Sequence, residues 1–283
     1  MACARCDGTG WQSIERDGIR RVQRCACWSD QIKADLIRSA KIPAQYNGRT
    51  LEALTIYPNE KFENTVRKAR KWADEFPAVR RGFCIVGPPG IGKTHIAVAV
   101  LRRLILEKQI RGLYYDTRDL LKLIRSTYSA VTKTAEMDVL RPVMTAEVLL
   151  LDDLGAERPT EWVEETMNLI VNSRYNERRP TIFTTNYIDD VDDTNLDALK
   201  VRVGFRMHSR LHEMCDFLEY DGPDYRLFDG PHTPERLLAL WKSSKSGRHR
   251  AKLPDRAHSQ AKAGFKQTRE FHELKWPGGK AGT

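Results

Sequence analysis

Residues Gly87-Pro88-Pro89-Gly90-Ile91-Gly92-Lys93-Thr94 define the sharpest chemistry in this 283-residue chain. Their spacing is GxxxxGK[ST], in which glycines let successive backbone N–H groups point inward around a polyphosphate. Lys93 offers a point charge to the β- and γ-phosphates, the Thr94 hydroxyl offers a ligand to Mg²⁺, and His95 completes the set of nucleotide contacts. Downstream, the apolar run Val148-Leu149-Leu150-Leu151 ends in Asp152-Asp153. Asp152 is suited to hold Mg²⁺ through water, and Asp153 to orient or deprotonate an attacking water. Asn186 closes the run Pro180-Thr181-Ile182-Phe183-Thr184-Thr185. It can sense a γ-phosphate and position water, or it simply ends a strand. A third set is Cys3-x-x-Cys6 with Cys25-x-Cys27, two close thiol pairs able to surround one Zn²⁺ tetrahedrally. The expected ligands are therefore a nucleoside triphosphate, taken as ATP, with Mg²⁺ and Zn²⁺.

These groups need elements to hold them. Phe83–Val86 reads as a buried strand feeding the phosphate loop, and Ile96, Val100 and Leu104 form a helical stripe after it. The positive end of that helix's dipole faces the loop. Gly112–Asp116 is a second strand, and Thr117 is an expected N-cap for a helix over 118–128. Residues 129–145 form a partly helical connection. Pro159-Thr160 opens a helix with Glu161, Glu164 and Glu165 in its first turn. Phe205–Glu213 reads as helix and Met214–Tyr220 as a last strand. Such alternation predicts an α/β fold, a three-layer sandwich around a parallel sheet. Before it, residues 14–22 read as a hairpin turning at Asp17-Gly18 inside the cysteine segment. Ser29–Ala40 reads as helix, 43–58 as loop, and Asn59–Phe76 as a helix ended by Pro77.

The net charge of +9 sits almost wholly at one end: residues 242–283 carry 11 Lys/Arg against 3 Asp/Glu. A cationic tail suits nucleic acid or another polyanion, or is a solvated, disordered extension. No apolar run approaches the ~20 residues that span a bilayer, and the N-terminus lacks the apolar stretch of a signal peptide. A cytoplasmic location follows as the expectation, and there cysteines serve metals more than disulfides.

The ordered series GPPGIGKTHIA (87–97), LLLDDLGAERPTEW (149–162), RYNERRPTIFTTNY (174–187) and GFRMHSRLHEM (204–214) resembles the DnaC/DnaI-type replicative helicase loaders. These are AAA+ ATPases, closely related to the IstB-like transposition helpers. The resemblance covers roughly residues 40–228, including Ile42-Pro43-Ala44-Gln45-Tyr46. It implies a P-loop AAA+ core over 81–230 without a full helical lid, after a zinc module over 1–28 and a helical linker over 29–80; the basic, largely disordered tail expected over 231–283 has no counterpart in it. It implies that Arg210 is the arginine finger reaching a neighbouring subunit's ATP, with Arg206 as rival, and that Arg226 is the second sensor arginine acting in cis. It also places Arg118, Lys122 and Arg125 where such proteins contact single-stranded DNA. The implied partners are a replicative helicase, single-stranded DNA and further copies of the chain. A transposition helper, or a nucleotide-gated DNA-binding adaptor with negligible hydrolysis, are the alternatives. The acidic pair is Asp-Asp rather than the family's Asp-Glu, which implies slow turnover.

Overall fold

A computed structural model describes residues 3–16, 18–128, 136–190, 195–227 and 233–246. The hairpin forms as expected: β1 (Trp11–Arg16) pairs antiparallel with β2 (Ile19–Arg24), Trp11 opposite Arg24 and Arg16 opposite Ile19. Asp17, at its tip, lies outside the described residues. Helix α1 (Ala26–Ser39) begins directly at the second cysteine pair. Helix α2 (Glu60–Glu75) starts where Asn59 accepts a hydrogen bond from the Phe62 amide. It buries Phe62, Val66, Ala69, Trp72 and Ala73, the apolar stripe visible in the sequence.

The main body is a five-stranded parallel sheet. Its strands are β3 (Gly82–Val86), β4 (Gly112–Asp116), β5 (Val148–Asp152), β6 (Thr181–Thr185) and β7 (Cys215–Glu219), in the order β4-β5-β6-β3-β7. Alternate residues feed two cores. Phe83, Ile85, Tyr114, Leu150, Ile182 and Leu218 pack with α2 and with α3 (Lys93–Lys108). Cys84, Val86, Leu149, Leu151 and Phe183 pack on the opposite face. That face is covered by α4 (Thr117–Ser126), α5 (Glu136–Thr145), α6 (Glu161–Asn176), α7 (Leu199–Val203) and α8 (Phe205–Met214). Two covered faces require strands that are apolar throughout, which is why β3 and β5 read as unbroken apolar runs. β3 runs between β6 and the edge strand β7, so the phosphate loop leaves an interior strand at the sheet's carboxyl edge. Ligands of open α/β sheets bind at that edge.

Arg174 of α6 is fully buried and staples this half of the fold. It donates to Thr181 Oγ1 (2.8 Å) and to the carbonyls of Val143 (3.0 Å), Met144 (3.3 Å), Ala146 (2.8 Å) and Pro180 (2.7 Å). Burial pulls its pKa down, but an arginine with all these acceptors keeps its charge at neutral pH.

Two expectations are corrected. Asp116, not Thr117, caps α4: its carboxylate accepts from the amides of Arg118 and Asp119. The strand runs into the helix without a loop, and the Thr117 hydroxyl is already donated to the Asp152 carbonyl at 2.9 Å. The tail expected from residue 231 instead carries helix α9 (Pro234–Ser246), and the first compact unit runs through Lys242. Leu237 of α9 is fully buried, and Trp241 meets Tyr57 edge-on with centroids 6.2 Å apart. The expected disorder of the remaining tail concerns residues 247–283, outside the described residues, as are 129–135 of the α4–α5 connection. Among the described residues no helix is long and apolar enough to cross a membrane.

Candidate functional site

The carboxyl edge of the sheet opens into a cleft of about 650 Å³. The phosphate loop forms its floor, with Pro89 to His95 along the lining. Gly87 leaves β3 with its amide donating to the Thr185 carbonyl (3.3 Å), and Pro88 follows before that lining begins. Gly90 takes a positive φ of 79°, and a side chain there would run into the Asp224 carboxylate. The close approach is functional in its geometry: Tyr225 donates its amide to the Gly90 carbonyl (3.0 Å), docking the segment after β7 onto the loop. Arg226 is thereby delivered to the cleft wall. Ile91 is buried beneath, and Gly92 (φ 95°) begins α3.

Lys93 is buried with its ammonium donating to the Gly87 carbonyl (2.8 Å), the Pro88 carbonyl (2.7 Å) and Asn186 Oδ1 (2.6 Å). Burial lowers its pKa to about 8, against the opposing pull of Asp153 and Asp152. Asp152 is gripped by three hydroxyls: Thr94 (2.9 Å) and Thr184 (2.5 Å) donate to Oδ1, and Tyr114 (3.0 Å) to Oδ2. Burial raises the Asp152 pKa while those three donors hold it down. The Thr94–Asp152 pair is a hydroxyl and a carboxylate at one point beside the phosphate loop, a donor set that suits Mg²⁺. Asp153 adopts a left-handed φ of 57°, with its amide bonded to Thr184 Oγ1 at 3.0 Å. Its carboxylate accepts from Asn186 Nδ2 (2.5 Å) and pairs with Arg118 (2.8 Å). A non-glycine residue in this conformation at a strand end is a strained, over-determined position, as sites of chemistry often are.

Lys93, Thr94, His95, Asp152, Asp153, Asn186 and Arg226, named from sequence, thus share one cleft. His95 reaches the Thr50 carbonyl (3.3 Å) in the segment lying over the loop. Gln45, Tyr46 and Arg49 of that segment form a further wall. Arg210 does not line the cleft. Its guanidinium lies over the Tyr175 ring, 5.0 Å from the centroid, on the face of the fold carrying α8, and Arg206 is exposed. Sequence reasoning missed Tyr114, Thr184 and Arg118 as site residues. Thr184 was findable, two residues before Asn186; Tyr114 and Arg118 meet the acidic pair only through the β4–β5 pairing. The expected DNA-contacting trio is engaged within the protein: Arg118 with Asp153, Lys122 with Asp119 (3.3 Å), and Arg125 over Trp162 (4.7 Å).

At the N-terminus the four cysteines converge, all sulfurs within 4.8 Å of one another. Cys3 and Cys25 sulfurs are 3.8 Å apart and those of Cys6 and Cys27 3.4 Å, close to the ~3.8 Å edge of a tetrahedron with 2.3 Å Zn–S bonds. The donors fit zinc. Burial works against ionising Cys6, but the Cys27 thiol and the Gly10 and Gly8 backbone bring it to about 7, the same pull pushing Cys27 up. Outside the cysteines the module has little core beyond Arg24, sandwiched at 3.8 and 4.2 Å between the Trp11 and Trp28 rings.

The sequence model of the family described as IstB-like ATP binding protein matches residues 31–229. The replicative helicase loader DnaC of Escherichia coli strain K12 is 27% identical over 148 residues, 52% of this chain and 57% of that protein. The chain therefore spans a little over half the length of that relative. The phage-like element PBSX protein XkdC of Bacillus subtilis is 21% identical over 227 residues, 76% of this chain and 80% of its own. Among solved structures, a crystal structure of the DnaC helicase loader matches with a TM-score of 0.55 and 32% identity, covering 62% of this chain and 99% of that one. A crystal structure of DnaI matches with a TM-score of 0.51 and 21% identity, over 65% and 94% respectively, and speaks to the fold.

Proposed function

The chain belongs to the IstB-like ATP-binding protein family, and on that premise we propose that it is an AAA+ ATPase that loads the replicative DNA helicase onto single-stranded DNA. The observation that carries the ATPase reading is the meeting, in one cleft, of Lys93, the Thr94–Asp152 pair and the Asp153–Asn186 pair. The loop amides and Lys93 bind the triphosphate of ATP. Thr94 and Asp152 hold Mg²⁺, which neutralises charge on the β- and γ-phosphates when bound. Asp153, aimed by Asn186, orients the attacking water and accepts its proton. Arg226 contacts the γ-phosphate in cis. Arg210, outside its own chain's cleft, completes the site of a neighbouring copy. The cysteine module binds Zn²⁺ and serves as the helicase-binding end, and the basic residues past 242 add non-specific DNA affinity.

The helicase as partner is supported by the likeness to proteins named as DnaC helicase loaders. The family description favours a second reading, a transposition helper that shares the motor and activates a transposase. Affinity capture of the full chain from its native host with ATP and Mg²⁺ separates the two. Retention of the replicative helicase supports the loader, and retention of a transposase in its place overturns it. ATP hydrolysis that is absent even with single-stranded DNA and the captured partner would overturn the ATPase reading itself and leave a nucleotide-gated adaptor.

A further inference from the structure

Away from the cleft and the cysteines, the described residues hold another convergence of ligand-type atoms. His208 and His212 lie four apart on α8, so their rings leave the same helical face. Asp189, in the loop that follows Asn186, meets them there. His208 Nε2 is 2.7 Å and His212 Nε2 3.1 Å from the same atom, Asp189 Oδ1, and the two nitrogens are 3.3 Å apart. The circle through these three atoms has a radius of about 1.8 Å, so an ion at the ~2.0–2.1 Å Zn–N bond length sits about 1 Å off their plane and touches all three. The nitrogen–nitrogen separation equals the tetrahedral edge of about 3.3 Å for such bonds. Both rings are fixed. The His208 side chain is 8% exposed, and the His212 ring stacks on Phe217 at 4.4 Å and 9°. His212 remains 46% exposed, which gives an ion and its remaining water ligands access.

We propose that Asp189, His208 and His212 form a second transition-metal site, distinct from the cysteine cluster and binding Zn²⁺ or a cation of its class. Two imidazoles with one carboxylate select that class over Mg²⁺ and Ca²⁺, which prefer all-oxygen sets. A bound ion ties the loop leading out of Asn186 to the helix that carries Arg210. It does so through bonds that hydrogen bonding within the cluster reproduces only weakly.

The test counts metal. The reduced full-length chain is equilibrated with Zn²⁺ buffered at about micromolar free concentration and its zinc is measured beside that of His212→Ala and Asp189→Asn. The wild type should bind about one equivalent more than either variant, whatever the cysteine cluster holds, and His212→Cys should restore it. With Co²⁺ the same difference should appear in the visible d–d bands. Asp189 lies on a surface loop, so its variant carries the comparison if His212→Ala folds poorly. Equal zinc in wild type and Asp189→Asn overturns the site and leaves a hydrogen-bonded imidazole–carboxylate cluster.

Discussion

Raising the pH should weaken ATP binding through one side chain, Lys93. Its burial among loop carbonyls lowers its pKa from 10.5 to about 8. The protonated form is the one that faces phosphate, and a bound triphosphate holds that proton in place. The free protein is half-deprotonated at Lys93 by about pH 8 and about 90% deprotonated by about pH 9. Above about pH 9 binding takes up close to one proton, and there the log of the association constant falls by close to one per pH unit. Between about pH 7 and pH 9 the affinity should drop roughly tenfold, ~1.4 kcal/mol. Stability moves the other way. Unfolded Lys93 keeps its proton to 10.5, so between 8 and 10.5 the unfolded state binds more protons. The cost of burying the charge, roughly 3 kcal/mol below pH 8, is relieved through that window. Calorimetry in two buffers of different ionisation enthalpy, at fixed Mg²⁺, reads both the affinity and the proton uptake. Lys93→Ala should bind ATP up to ~10³-fold more weakly, from ~4 kcal/mol for a charge pair at 4 Å and intermediate dielectric, and should be flat over this range. A wild-type affinity independent of pH, or the same slope in Lys93→Ala, refutes the argument.

Three other outcomes are expected. Arg210→Ala and Asp153→Asn should each bind ATP yet hydrolyse it at least ~10³-fold slower, while their mixture regains activity at interfaces pairing an intact Asp153 with a neighbour's intact Arg210; a dead mixture whose oligomers demonstrably exchange subunits removes Arg210 as a trans finger. Cys25→Ser should lose the zinc of the N-terminal module, seen by metal analysis, and make residues 1–28 protease-sensitive while ATP binding persists. Arg174→Leu should destabilise the sheet body by several kcal/mol in urea unfolding, because it strands five oxygens, three of them in fully buried contacts that cost ~1–3 kcal/mol each, with Arg174→Lys recovering part through its three donors; a loss under about 1 kcal/mol would show that the staple relaxes freely.

The parts legible in the sequence are those whose signal is local. The phosphate loop and the apolar run into Asp152 each state themselves within a few residues, and the cysteine pairs do so by spacing. Tyr114 was legible only as a strand residue, because its hydroxyl finds Asp152 through a register between strands far apart in sequence. Arg118 stood among the expected DNA contacts, yet its helix follows β4 so directly that the guanidinium swings back to Asp153. α9 was hidden by charge. Thr233-Pro234-Glu235 is a helix start, and Leu237 and Trp241 are an i,i+4 apolar pair, but the cations around them outweighed that signal.

Asp153 stands at the end of β5, the strand flanked by β4 and β6. On one side Arg118 pairs with it, and on the other Asn186 donates to it. Those neighbours answer to different parts of the molecule: Arg118 to α4, and Asn186 to the loop that runs on to Asp189 and, through the histidines, to α8. A push on α4 and a pull on α8 therefore arrive at the same two oxygen atoms. Arg118 reaches one of those oxygens and Asn186 the other, so a displacement of either neighbour changes the setting of a single carboxylate.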